Sequence, residues 1–167
     1  MNYFLINLCR TYPSFFQALN FLRDLIILIQ FLIFVLYFLK IKKIYYFIYL
    51  VILLFIGFGV IFLINKQFPT LRPFYFCLPY FVRFDSLPSG HTFSSFIITL
   101  VILKNNLNLG IVSFLLTLII AILSFFSLRH WPLDIFVSFL LGYFIFFLGE
   151  KILHFFNRTN INQRKDK

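Results

Sequence analysis

Acidic side chains are nearly absent: five Asp and Glu stand against fifteen Lys and Arg in 167 residues. Charge of either sign is also scarce, at 12% of residues, where a soluble domain carries about 25%. With 62% hydrophobic residues, including 28 Phe and 9 Tyr, the chain cannot cover itself with polar surface. Lipid must therefore solvate most of it. The two cysteines, Cys9 and Cys77, are too few for a disulfide framework and are expected to be free. The first 23 residues lack a small-residue cleavage site and are interrupted by Arg10 and Pro13, so no cleavable signal peptide is expected. No internal repeat is visible, and the length allows one domain. The net charge of +10 excludes little by itself. Its bases sit singly at the ends of apolar runs rather than along one face, so it reads as bilayer topology, with no nucleic-acid partner.

Apolar runs are what the chain does have. A spanning helix needs about 20 apolar residues to cross about 30 Å of hydrocarbon. Five runs qualify as spans: 25–39, closed by Lys40, Lys42 and Lys43; 44–64; 92–103, closed by Lys104 and a turn-like Asn105-Asn106-Leu107-Asn108; 109–128; and 133–156. The first run has room to begin earlier, because Ser14 and Gln17 follow Pro13 with capping-box spacing. The expected fold is an all-α integral membrane bundle of five spans. An N-terminal segment, 1–23, lies at the interface or adds a sixth helix. The embedded domain covers 24–157, and 158–167 is a polar cytoplasmic tail. Nine Lys and Arg fall on one side of these spans and six on the other. The richer side should be cytoplasmic, which turns the loops 65–91 and 129–134 outward together. Ser113, Thr117, Ala121 and Ser124 form a small-residue stripe on one helical face, with Ser138 and Gly142 spaced alike on the last span; such faces let helices approach closely.

Three polar clusters lie at the outer ends of these runs: Lys66 to Arg72-Pro73, Pro88-Ser89-Gly90-His91, and Arg129-His130-Trp131-Pro132-Leu133-Asp134. Charge at a membrane boundary is unfavourable unless paired or functional. His130 and Asp134 are one helical turn apart, so the carboxylate can accept from one ring nitrogen and leave the other as nucleophile or base. Gly90 lets backbone approach a ligand, the amides of a helix start favour an anion, and His91 could protonate a leaving oxygen. Lys66, Arg72 and Arg129 suit an anion clamp, arginine because its planar fork pairs with phosphate. Read singly, each cluster also fits a capped turn or an interfacial charge. Together they converge on one side of one small bundle.

In this order the clusters resemble the type 2 phosphatidic acid phosphatase family, whose superfamily includes vanadium haloperoxidases. The match covers roughly residues 44–157. The resemblance implies metal-independent hydrolysis of a membrane lipid phosphate or pyrophosphate, with no cofactor. It makes His130 the nucleophile that forms a phosphohistidine, Asp134 its orienting acid and His91 the general acid. Lys66, Arg72, and the Ser89 and Gly90 backbone would bind phosphate. Two departures stand out. Five residues separate Lys66 from Arg72, one fewer than in the family. Leu123 and Ser124 occupy the positions where the family's third motif opens with Ser-Arg, so one phosphate-binding arginine is missing, and Arg129 or Arg83 is left to replace it. The same histidine would also serve a lipid phosphotransferase, and a non-catalytic lipid-phosphate binder is the rival of another class. The expected setting is a bacterial inner membrane, surrounded by membrane lipids, with the site on the periplasmic or outer face.

Overall fold

Proline, lysine and asparagine punctuate the apolar runs, and the helices break where they stand. The computed structural model describes residues 3–77 and 85–165. Among these are six α-helices and no strand: α1 (Tyr3–Thr11), α2 (Pro13–Lys40), α3 (Tyr45–Gln67), α4 (Gly90–Leu103), α5 (Leu107–Phe126) and α6 (Pro132–Lys165), with a 3₁₀ turn at Pro73–Phe76. The protein is an α-helical integral membrane bundle. Helices α2, α3, α5 and α6 are long and apolar enough to cross a bilayer.

Helix α2 starts at Pro13, twelve residues before the first clear apolar run at 25–39. Pro13 opens it, since its fixed φ and missing N–H suit a first turn. The expected capping box does not form; Tyr12 holds the N-cap position without a side-chain bond. No break occurs at residues 23–24, so the N-terminal segment divides into α1 and the first turns of a continuous α2. At the far end Lys42 adopts φ 54°, with Lys42 N–H donating to Leu39 O and Lys43 N–H to Phe38 O, which closes the last carbonyls in a Schellman turn. Asn106 caps α5 through its side-chain oxygen, 3.0 Å from Leu109 N, as the turn-like sequence there suggests.

The fifth expected span, α4, has only 14 residues. It is the central helix and packs against α2, α3, α5 and α6. Phe93, Ile97, Val101 and Ile102 are fully buried in a core shared with Phe34, Leu50 and Leu53. At 1.5 Å per residue α4 is about 21 Å long, so with Lys104 at one surface its start lies about 9 Å below the other. The small-residue stripe on α5 is buried throughout: Ser113, Thr117, Ala121 and Ser124 all face inward. Its partner is Gln30 of α2. Gln30 Nε2 donates to Ser113 Oγ at 2.8 Å and to Thr99 Oγ1 at 3.0 Å, while Ser95 Oγ donates to Gln30 Oε1 at 2.6 Å. Lipid tails supply no hydrophobic force between helices, so such close packing and polar bonding hold the bundle.

Candidate active site

Helix polarity places the 68–77 segment, the start of α4 and the α5–α6 turn at one end of the bundle, and cross-bonds between backbone segments lock them. Ser86 N–H donates to Thr70 O at 3.2 Å, and Leu87 N–H donates to Thr70 Oγ1 at 3.0 Å. Phe74 N–H donates to Leu128 O at 2.7 Å, and Trp131 Nε1 donates to Leu71 O at 2.8 Å. Leu128 is held at φ 56°, a left-handed conformation that β-carbon sterics disfavour by about 1–2 kcal/mol. That turn ends α5 and swings His130 back under the loop before Pro132 opens α6.

A cavity of about 390 Å³ lies beneath this lattice. Arg72, Asp85, Gly90, His91 and His130 form its polar side, and Ile27, Phe58 and Ile61 its apolar side. His130 is almost fully buried, and its Nδ1 lies 2.7 Å from Ser86 O. A carbonyl can only accept, so Nδ1 carries the proton and Nε2 keeps the free lone pair. Burial holds the His130 imidazole below its ordinary range; the Arg72 charge pushes the same way, against the Ser86 carbonyl and Asp134. The ring is therefore neutral near pH 7.

Asp134 is not the direct partner expected from the one-turn spacing. Its Oδ2 lies 3.8 Å from His130 Nδ1, beyond hydrogen-bond reach. It accepts instead from Ser86 Oγ and, at 2.8 Å, from Trp131 N–H. Because Pro132 starts α6 just before it, Asp134 sits in the helix's first turn and folds back over the preceding residues. The carboxylate thus fixes Ser86, and Ser86 fixes the ring.

The other expected site residues divide. Arg72 lines the cavity, with Nε donating to Asp85 Oδ1 at 2.8 Å. Ser89 is a buried N-cap; its Oγ accepts from Thr92 N–H at 3.4 Å and its own N–H points to Asp134 O at 3.4 Å, so it does not line the cavity. With Thr92 and Phe93 N–H both taken by Ser89, the Gly90 and His91 amides remain as the free donors of that helix start. A Cβ at Gly90 would come 3.2 Å from Phe58 Cε1, a tight fit on the cavity wall. Lys66 is exposed on the last turn of α3 and stays outside the cavity; Asn65, about 100° round the helix, lines it instead. Arg129 is drawn away as well: its Nε donates to Asn20 Oδ1 at 3.1 Å, and its guanidinium lies 5.5 Å from the Phe74 ring centre. Arg83 lies outside the described residues. Among the described residues, no cluster of three or more His, Cys, Asp or Glu side chains is arranged to hold a metal ion.

No family model and no curated protein matches this chain. Among solved structures it is similar to Aquifex aeolicus LpxE, with 26% identity, a TM-score of 0.61, and coverage of 83% of this chain and 84% of that one. The likeness spans the bundle and supports a membrane lipid phosphatase fold of the type 2 phosphatidic acid phosphatase kind.

Proposed function

We propose that this protein hydrolyses a membrane lipid phosphate or pyrophosphate through a phosphohistidine on His130. One observation carries the reading: two histidines and Arg72 share a cavity that Ile27, Phe58 and Ile61 also line. A phosphate head would lie on the polar side while the lipid body continues along the apolar wall, entering sideways between helices.

Arg72 and the Gly90 and His91 amides bind the phosphate oxygens. His130 Nε2 attacks phosphorus in line, a P–N bond forms, and the P–O bond to the lipid breaks. His91 gives its proton to the departing oxygen. Water then attacks the phosphohistidine, loses its proton to His91, and inorganic phosphate leaves with both histidines restored. Phosphoryl transfer asks mainly for positioning and charge stabilisation, which a buried clamp provides. Lys66 and Arg129 have no place in this scheme, because neither reaches the cavity. The reaction takes place on the non-cytoplasmic face.

The test is purified protein in detergent with a panel of phospholipid, polyprenyl and glycolipid phosphates, and a chelator present. The expected outcome is release of inorganic phosphate by the wild type, with loss of both turnover and acid-labile protein phosphate in His130→Ala. Acid-labile phosphate persisting on His130→Ala would remove the nucleophile assignment.

A further inference from the structure

Arg23 and Asp24 lie outside the 44–157 segment, and no motif so far invoked includes them. Arg23 is nevertheless 5% exposed on a membrane-spanning helix, a costly place for a permanent cation without a task. Its Nε and Nη2 both donate to Asp24 Oδ1, at 3.0 and 2.7 Å. The same oxygen lies 3.2 Å from His91 Nε2 of α4. The levels agree: Asp24 is about 25 Å along α2 from Lys40, close to the depth of the α4 start. Such pairing needs a residue on α2 at that depth, and a carboxylate tied by its neighbour cannot swing away.

We propose that Arg23 and Asp24 are a positioning pair for His91. Asp24 accepts from Nε2–H of the protonated ring, which stabilises the imidazolium and fixes its orientation and leaves Nδ1–H as the group that hands its proton to the departing lipid oxygen. Arg23 holds Asp24, so the carboxylate keeps this aim when phosphate enters. The other charged or titratable groups around the ring are Arg72 and Asp85 from the loops flanking the 3₁₀ turn and His130 from the α5–α6 turn. Arg72 is paired with Asp85, and His130 is tied to Ser86, which leaves Asp24 as the carboxylate in contact with His91. The proton balance is unchanged: His91 loses a proton to the leaving oxygen in the first step and regains it from water in the second. This proposal rests on the phosphatase reading above.

The experiment compares an alkyl lipid phosphate, whose leaving oxygen needs a proton, with an activated aryl phosphate, which does not. Asp24→Asn should lose about 10- to 100-fold more rate on the alkyl than on the aryl substrate, less than the roughly 10²- to 10⁴-fold that a general acid itself contributes, because His91 remains. Arg23→Lys should shift the ratio in the same direction by less. Because the ratio is taken within one sample, a partly unfolded preparation does not distort it. In the His91→Ala background, adding Asp24→Asn should change the alkyl rate by no more than about 2-fold, since contacting residues of one unit are not additive. Equal losses on both substrates, or full additivity with His91→Ala, overturn the positioning role while leaving the phosphatase reading standing. A wild type that releases phosphate from neither substrate overturns both.

Discussion

In the proposed reaction a neutral imidazole attacks well only when its N–H is fixed, and the Ser86 carbonyl, 2.7 Å from His130 Nδ1, is placed to fix it. Asp134 therefore acts one step removed, by holding Ser86 Oγ and the Trp131 amide. An asparagine keeps the shape but loses the charge that stabilises the developing imidazolium. Asp134→Asn should fold normally and lose about 10²- to 10⁴-fold in kcat, the scale of the comparable change in serine hydrolases. Ser86→Ala keeps the carbonyl and removes one hydrogen bond, so its loss should stay near 10-fold. Rates with one lipid phosphate, beside melting curves, decide this. If Ser86→Ala matched Asp134→Asn, the carboxylate would act through the serine alone. The pH dependence has a definite sign. Protonation removes the Nε2 lone pair, so kcat/KM falls as pH falls through the His130 pKa. Burial holds that pKa below the ordinary value of about 6.5, and the acid limb should therefore lie below pH 6.5; a limb centred above 7 would contradict a buried neutral nucleophile. The order Ser-Gly-His and His-Asp was legible in the sequence, but the Ser86 carbonyl was not. Any residue can offer a carbonyl, so composition carries no mark of it. Lys66 and Arg129 were misplaced because charge and proximity in sequence say nothing about which way a helix face turns.

Helices in lipid gain stability by closeness, and α4 is where closeness is greatest. Gly57 of α3 sits directly over Phe93, where an added Cβ would lie 1.9 Å from Cζ, inside any allowed contact. Gly57→Ala should lower stability in detergent by about 1–3 kcal/mol, as overpacking does, and Phe93→Leu should recover part of that loss in the double variant. A melting temperature unchanged by Gly57→Ala would mean that α3 is free to slide away from α4. The stripe on α5 was readable in advance because a four-residue repeat of small side chains has a face by geometry alone. Its partner was not readable. Gln30 looks in sequence like a lone polar residue in an apolar run. Only the packing of α2 on α4 and α5 reveals that its amide lies within hydrogen-bond distance of Ser95, Thr99, Ser113 and Thr117. The early start of α2 was half visible: Pro13 announced it, whereas the position of Arg23 at the depth of the site follows only from the length of the helix.

At the scale of the whole molecule, sequence fixes which loops share an end. Once α2 to α6 alternate, the 65–91 segment and the 129–134 turn must meet, and the bundle places both histidines there. Which side of the membrane that end faces is a separate matter, set by charge. Lys40, Lys42, Lys43, Lys104 and Lys151 lie toward the opposite end, and with the tail's Arg158, Arg164, Lys165 and Lys167 the sequence count is nine bases against six. The positive-inside bias counts such short-loop lysines and arginines and gives little weight to acids. Arg23 and Arg72 count among the six, and the opposite end is still the richer. The site should therefore open away from the cytoplasm. Cys9 and Cys77 are buried, so replacing them by Ala should leave a low background for thiol labelling. In that background Phe68→Cys, exposed beside the site, should react with a membrane-impermeant maleimide in intact cells. Lys42→Cys, exposed in the α2–α3 turn, should react only after permeabilisation. The reverse pattern would turn the cavity toward the cytoplasm, and the lipid phosphate would then have to be drawn from the inner leaflet.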